Sequence, residues 1–155
     1  YTVIYIIMTL NAWTFILSTE LETKGRGTYF TDLGYLSRIN PLLAITFTMT
    51  LLSMAGVPPL AGFCAKMYVF FAAMEGSMYF LAVTGVLTSV IGAFYYIRFI
   101  KIMYFEKMRS WTFFRQISRE KSIVLGSTTL FILLFFLYPT PLMLMAHKLA
   151  LTVCL

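Results

Sequence analysis

The hydrophobic residues of this chain fall into long apolar runs that are separated by short polar segments. Runs long enough for a membrane-spanning helix of roughly 17–25 residues occupy 1–18, 78–105 and 122–145. The stretch from 41 to 75 is also apolar, but glycine and proline residues interrupt it. We therefore predict an all-α integral membrane protein with four transmembrane elements. The second of these is a discontinuous helix with halves at 41–56 and 60–75.

The interruption lies at the sequence Gly56-Val57-Pro58-Pro59. Pro58 and Pro59 have no amide hydrogen, so they cannot bond to the carbonyls four residues earlier. Gly56 and Gly62 accept the unusual backbone conformations that a break requires. Free carbonyls at membrane depth occur where they are buried in protein or line a water-filled cavity. The break at 56–59 therefore predicts a polar site inside the membrane.

Lys66 is placed close to the middle of the predicted span. Nine residues separate it from Glu75, which opens a polar turn, so it lies about 13 Å from that interface. Half of a hydrocarbon core is about 15 Å thick. A lysine that extends its head group to the membrane surface normally lies near a helix end, whereas an intramembrane lysine marks a functional site. We favour the functional interpretation and predict that Lys66 loads and releases protons.

Hydroxyl-bearing residues accompany the break at helical spacing. They are Thr46, Thr50 and Ser53 on the first half-helix, and Thr84, Thr88 and Tyr95 on the following helix. Two interpretations stay open: these groups line a hydrated proton path, or they pack helices together, as serine and threonine do in membranes. For the small residues Gly85, Ser89 and Gly92 we favour packing.

The basic residues predict how the chain crosses the membrane. The loop at 19–40 carries three of them and the loop at 106–121 carries five. Because basic loops stay on the inner side of a membrane, both loops are expected on the same face. An even number of crossings must then connect them, and one broken helix plus the helix at 78–105 meets that requirement. The turn at Glu75 and a C-terminal tail at 146–155 are expected on the opposite face.

The composition excludes several classes of protein. Of 155 residues, 60% are hydrophobic and only 12% are charged, whereas a soluble domain has about 25% charged residues. The net charge of +6 lies mainly in the two loops, so it indicates membrane orientation and not nucleic-acid binding. Cys64 and Cys154 are far apart and form no metal or disulfide motif. The sequence has no iron–sulfur cysteine cluster and no glycine-rich dinucleotide turn, so no metal or redox cofactor is expected on this chain.

A family resemblance is carried by one continuous stretch, NPLLAITFTMTLLSMAGVPPLAGFCAK, at residues 40–66. It resembles the C-terminal part of NADH dehydrogenase subunit 2 of respiratory complex I, an antiporter-like subunit related to multisubunit sodium/proton antiporters. The segments SVIGAFYYIR at 89–98 and LYPTPL at 137–142 are similar to the last two helices of that family in its plant mitochondrial form. The resemblance covers about residues 30–155 and, more weakly, residues 1–18.

What the resemblance implies is a proton-translocating subunit in the membrane arm of complex I. Its location would be the mitochondrial inner membrane, with the basic loops facing the matrix. In that family the lysine after the broken helix is the central titratable residue of a half-channel, and here that residue is Lys66. NADH, FMN, iron–sulfur clusters and ubiquinone are then expected on other subunits. The implied partners are other membrane-arm subunits, adjacent antiporter-like subunits among them, membrane lipids, and a separate chain or missing segment that carries the first ten helices.

Two other functions remain open on the residues themselves. A cation/proton antiporter subunit would share both the break and Lys66. A structural membrane subunit would use Lys66 to pack against a carboxylate on a neighbouring chain. Tyr1 begins directly in an apolar run without an initiator methionine, as expected of a split-gene product, a fragment or part of a longer subunit.

Overall fold

The computed structural model describes residues 1–19, 34, 36–106 and 117–154, and the secondary structure found there is helical. In chain order the helices are α1 (Thr2–Ser18), α2 (Leu36–Ile39), α3 (Pro41–Ala55), α4 (Ala61–Glu75), α5 (Tyr79–Phe105), α6 (Arg119–Leu137) and α7 (Thr140–Cys154). The predicted loops at 19–40 and 106–121 lie largely outside the described residues. The all-α prediction is confirmed for the part of the chain that the structure covers.

Local sequence explains where α3 begins and ends. The Asn40 side chain accepts a hydrogen bond from the Leu43 amide at 3.5 Å, and Pro41 occupies the first turn, where its missing amide hydrogen costs nothing. At the other end Gly56 caps the helix in the left-handed region, with φ at 90°. Glycine is the residue that adopts this conformation without a steric penalty.

Two apolar clusters hold the helices together. The first core cluster contains Phe15, Leu36, Leu43, Ala44, Phe47, Leu51, Met103 and Leu125. The second core cluster contains Ile4, Met8, Leu60, Ala61, Ala65, Ile132 and Phe135. In the first, the rings of Phe15 and Phe47 stack with centroids 3.7 Å apart, which joins α1 to α3. Because α1 also packs against α6, and α5 against α3 and α4, the clusters fix these helices around the break between α3 and α4.

The outer surface of the bundle is strongly apolar. Within the described residues, α5 and α6 are long and apolar enough to cross a membrane, while α1 and α3 are apolar but shorter. On α5, Phe80 is 84% exposed and Phe94 is 71% exposed. Large aromatic side chains exposed to this extent fit a lipid environment better than water.

The C-terminal region differs from the prediction of one helix at 122–145 and a tail at 146–155. Helix α6 ends at Leu137, because Pro139 cannot donate to the helical ladder and Tyr138, which precedes it, leaves helical geometry at φ −140° and ψ 75°. A second helix, α7, then continues to Cys154. Pro141 is tolerated in its first turn, and its leucine, methionine and alanine residues favour a helix. The predicted tail is therefore helical as far as Cys154.

Candidate functional site

The predicted helix break lies between α3 and α4. Gly56, Pro58 and Pro59 all lie in the segment that separates Ala55 from Ala61, and the Pro58–Pro59 peptide bond is cis. The Gly56 amide bonds back to the carbonyls of α3, and so does the Val57 amide. The two residues that follow are prolines and supply no further donor. The carbonyls of Met54 and Ala55 are thus the ones that a continuous helix would have paired with residues 58 and 59.

Lys66 supplies the donors that the prolines lack. Its ammonium Nζ donates to the carbonyl of Met54 at 2.9 Å and to the carbonyl of Ala55 at 3.1 Å. The C-terminal end of a helix carries partial negative charge, so a cation placed there is stabilised by both the hydrogen bonds and the helix dipole. The side chain of Lys66 therefore bridges from α4 to the end of α3 and caps it.

Gly56 also makes room for the Lys66 side chain. A Cβ atom built on Gly56 would lie 3.1 Å from Lys66 Cδ and 3.4 Å from Nζ. The positive φ of Gly56 already disfavours any other residue. The glycine is therefore required by its own backbone and by the path of the lysine across it.

Gly62 has a different role from the predicted one. It lies inside the first turn of α4, where its amide donates to Ser53 Oγ at 3.0 Å. A Cβ atom on Gly62 would lie 1.9 Å from the Ser53 carbonyl oxygen, so the missing side chain allows the two half-helices to touch. The Ser53 hydroxyl in turn donates to Met8 Sδ at 3.1 Å. Gly62 is thus a packing residue, and Ser53 caps α4 from across the break.

A cavity of about 320 Å³, which we call the Lys66 cavity, adjoins the lysine between α1, α4 and α5. Polar groups that line it besides Lys66 come from Tyr1, Tyr5, Thr88, Ser89, Tyr95 and Tyr96. The rings of Tyr95 and Tyr96 lie with centroids 4.4 Å apart. The cavity therefore offers the ammonium a space lined by hydroxyl groups, into which water can enter.

The structure divides the six hydroxyl residues for which a proton path and helix packing both stayed open. Thr88 and Tyr95 line the Lys66 cavity. Thr46 lines another cavity of about 640 Å³, the second cavity, whose polar lining also includes Ser18, Thr19, Asn40 and Ser122. Thr50 and Ser53 are fully buried between the helices. Thr84 bonds to carbonyls of its own helix and is not one of the residues that line the Lys66 cavity.

Several residues of the site were not singled out from the sequence. Tyr1, Tyr5 and Tyr96 line the Lys66 cavity, and the spacing of four between Tyr1 and Tyr5 was the available signal that they share a helix face. Gly85 does pack, since a Cβ there would lie 2.8 Å from the Phe70 ring, but it lines the cavity as well. Asn11 is completely buried. Its polar side chain within α1 gave no indication of this burial in the sequence. Among the described residues, no group of His, Cys, Asp and Glu converges to hold a metal.

Comparison with known proteins gives consistent matches. Residues 1–92 match the family described as "NADH:quinone oxidoreductase/Mrp antiporter, TM". Over 152 residues, 98% of the chain, it is 51% identical to NADH-ubiquinone oxidoreductase chain 2 of Marchantia polymorpha and covers 30% of that protein. It is 46% identical to NADH-quinone oxidoreductase subunit N of Parvibaculum lavamentivorans over 144 residues, 93% of this chain and 29% of that protein. This chain therefore spans less than a third of the length of these relatives.

A solved structure matches as well. A chain in the structure of respiratory complex I from Thermus thermophilus with bound aureothin aligns with a TM-score of 0.76 and 25% sequence identity. The alignment covers 89% of the present chain and 31% of that chain. The fold described above is therefore similar to that of part of a chain in a solved structure of respiratory complex I.

Proposed function

This chain belongs to the NADH:quinone oxidoreductase/Mrp antiporter membrane family, and from that premise we propose that it forms part of a proton-translocating membrane-arm subunit of respiratory complex I. Its identity of 51% to a mitochondrial NADH-ubiquinone oxidoreductase chain 2 supports this assignment. The proposed reaction partner is a proton, and quinone reduction takes place on other subunits. The chain contributes to the enzyme through Lys66 and not through a redox group of its own.

The observation that carries the proposal is the pair of hydrogen bonds from Lys66 to Met54 and Ala55. An ammonium group has three donors, two of which these carbonyls accept, and the Lys66 cavity can supply water to the third. The carbonyls stabilise the charged lysine more than the neutral amine, because charge-assisted hydrogen bonds are about twice as strong as neutral ones. A proton taken up or released by Lys66 therefore changes how firmly its side chain is held at the end of α3.

Because the position of the Lys66 side chain depends on its protonation, the site can adopt the two states that a proton pump requires. A site that exchanges a bound proton between two sides of a membrane needs two states whose populations respond to the binding event. In the first state the charged Lys66 is docked on the α3 carbonyls. In the second the neutral amine is released towards the hydroxyl-lined cavity. A neighbouring subunit that alters the charge or water content of the cavity would shift this equilibrium and drive the proton in one direction.

We further propose that the chain crosses the mitochondrial inner membrane four times, through α1, the pair α3 and α4, α5, and α6. The length and apolar composition of α5 and α6 support this count, as do the shorter apolar helices α1 and α3. The loops at 19–40 and 106–121 would face the matrix, in keeping with their basic residues. The partners are the remaining helices of the subunit, adjacent antiporter-like subunits and lipid. A structural subunit is less well supported, because Lys66 finds its hydrogen-bond partners within its own chain.

The test is the proton-to-electron ratio of the purified and reconstituted complex that carries Lys66→Ala. Lys66→Ala takes the donors away from the carbonyls of Met54 and Ala55, and water from the Lys66 cavity can replace them. We therefore expect the complex to assemble, because removing a charge from the membrane interior also relieves a cost of about 2.5–3.5 kcal/mol on translocon insertion scales. Pumping coupled to quinone reduction should fall, and Lys66→Arg should not restore it, since a guanidinium does not release its proton. Lys101→Ala is the matched control, because Lys101 is exposed on α5. An unchanged ratio in Lys66→Ala would reject the proposed role.

A further inference from the structure

A layer of buried polar side chains separates the two core clusters. The buried polar layer consists of Asn11, Thr50, Ser53 and Thr129. In α1, Asn11 lies between Met8 of the second core cluster and Phe15 of the first. In α6, Thr129 lies between Leu125 of the first core cluster and Ile132 of the second. Asn11 and Thr129 therefore lie at the same level of α1 and α6, and α3 adds the buried hydroxyls of Thr50 and Ser53 to the interior of an otherwise apolar bundle.

Within this layer Asn11 has an unpartnered oxygen. Its Nδ2 donates to Thr129 Oγ1 at 3.2 Å, and the Thr129 hydroxyl donates onward to the carbonyl of Leu125. Asn11 Oδ1 is buried and receives no hydrogen bond from any of the described residues. The Thr50 hydroxyl is not available for it, because Thr50 donates to the carbonyl of Phe47 at 2.7 Å. A buried amide oxygen without a donor is costly, so such groups in native proteins normally have a partner.

The burial of Asn11 restricts what this partner can be. Its side chain is 0% exposed, so a lipid head group or a side chain of another subunit would have to open the bundle to reach it. A water molecule is small enough to be enclosed and supplies two donors. Buried waters typically satisfy polar groups of this kind. The hydroxyl oxygens of the layer keep lone pairs that can accept from the same water.

Two residues of the layer have neighbours that line the two cavities of the bundle. On one side Ser53 contacts Met8, which lines the Lys66 cavity, and holds the amide of Gly62 one turn before the lysine. On the other side Thr50 lies one turn from Thr46, which lines the second cavity. The helical stripe at 46, 50 and 53 thus runs from the second cavity, past the polar layer, towards the contacts of Ser53 with Met8 and Gly62.

We propose that Asn11 Oδ1 binds an internal water molecule, and that this water forms part of the proton path between Lys66 and the second cavity. The inference rests on the proposed function of Lys66 and adds a positioning residue to it. Asn11 touches neither Lys66 nor a substrate, and it acts by holding the water in place. A proton crosses such a membrane interior only along water and polar side chains, so the loss of this water interrupts the path.

A pair of substitutions separates this role from a structural one. Asn11→Leu is close in shape and removes the amide. Thr129→Val removes its hydrogen-bond partner. The double variant replaces both partners by apolar groups, which is nearly neutral or stabilising when shape is kept. We therefore expect Asn11→Leu with Thr129→Val to assemble with a thermal midpoint at or above that of the wild-type complex. Its coupled proton pumping should nevertheless be lost. Thr128→Val is the matched control and should retain pumping, because the Thr128 hydroxyl lies outside the layer and bonds to carbonyls of its own helix.

Two results would overturn the proposal. One is a double variant that pumps like the wild type, because stability would then account for Asn11 in full. The other is a high-resolution map of the complex in sodium-free buffer that lacks a water peak within about 2.7–3.2 Å of Asn11 Oδ1. If Lys66→Ala abolishes pumping while the double variant pumps normally, only the water path fails and the role of Lys66 stands. If Lys66→Ala pumps normally, the proposed function fails and the water path fails with it.

Discussion

Lys66 and the two prolines form a complementary set at the scale of single residues. The prolines deny hydrogen bonds to two carbonyls, and the lysine, eight residues after Pro58, returns donors to both. Leaving these carbonyls unpaired would be costly in a membrane, where water is scarce. The cost falls on the neutral state of the site, in which the lysine binds less firmly. In the proposed function of Lys66, the break therefore sets the free energy by which protonation holds the lysine at α3.

Gly56 gives the first residue-scale prediction. We expect Gly56→Ala to destabilise the complex, because a residue other than glycine in the left-handed region costs about 1–3 kcal/mol and its Cβ would press on Lys66 Cδ at 3.1 Å. The proton-to-electron ratio should fall as well, since the lysine is displaced. Gly76→Ala is the control, because Gly76 has a φ of −76° and its Cβ would make only ordinary contacts from 3.6 Å. Thermal midpoints and ratios that are the same for both variants would contradict the prediction.

Gly62 gives the second residue-scale prediction. Gly62→Ala places a methyl group 1.9 Å from the carbonyl oxygen of Ser53, and a backbone atom cannot move aside as a flexible side chain can. We expect this substitution to lower the stability of the complex by at least the upper end of the roughly 1–3 kcal/mol typical of overpacking. The loss should be seen as a low yield of assembled complex on native gels. Gly126→Ala tests whether any helical glycine behaves in this way. Its Cβ would meet nothing within 4 Å, and alanine favours a helix by about 1 kcal/mol, so assembly should be unaffected.

At the scale of elements, the broken helix depends on contacts between its two halves. The first residues of α4 have no side-chain cap from Leu60, which precedes them. Ser53 provides that cap from α3 by accepting the Gly62 amide. The first turn of α4 is therefore held by the same half-helix whose last carbonyls are held by Lys66. Each half satisfies the open end of the other, so the two behave as one discontinuous element.

Removal of the Ser53 hydroxyl tests this mutual capping. Ser53→Ala leaves a buried amide of Gly62 without an acceptor, which costs about 1–3 kcal/mol, and we expect a lower thermal midpoint of the purified complex. Ser127→Ala provides the comparison, because the Ser127 hydroxyl is exposed and bonds within its own helix at 3.0 Å. A midpoint for Ser53→Ala equal to that of Ser127→Ala would show that α4 does not need the cap.

The elements also show which features a sequence can predict. Proline and glycine act locally, so the break and its position before Lys66 followed from residue types alone. The depth of Asn11 did not, because burial depends on how α1 meets α3 and α6. The role of Gly62 was mistaken for the same reason: a glycine needed for close approach looks identical to one needed for its backbone freedom. Pro139 and Pro141 indicated an end to the helix predicted at 122–145, but the helix-forming residues around and after Pro141 form a second helix, α7.

At the scale of the whole molecule, one part of the helix bundle is packed and another part is exposed. Its interior is well packed where α1, α3 and α6 meet, while α5 exposes large apolar side chains along most of its length. The family relatives are about three times as long as this chain. The Lys66 cavity, which lies between α1 and α5, is thus placed where further protein or lipid can regulate its water content.

The arrangement of the four proposed spans makes a prediction about the two basic loops. If α3 and α4 together form a single crossing, the chain crosses twice between 19–40 and 106–121, so both loops should lie on the matrix face. Single cysteines placed in each loop, in a background that lacks Cys64 and Cys154, can be labelled with a membrane-impermeant maleimide in inside-out vesicles and in intact mitoplasts. Both loops should react only in the vesicles. A cysteine in the turn at 76–78 should react only in the mitoplasts, because α4 ends at Glu75 and α5 begins at Tyr79 on the opposite face. Labelling of the two basic loops from opposite sides would mean that α3 and α4 each cross the membrane, and the single broken span would have to be abandoned.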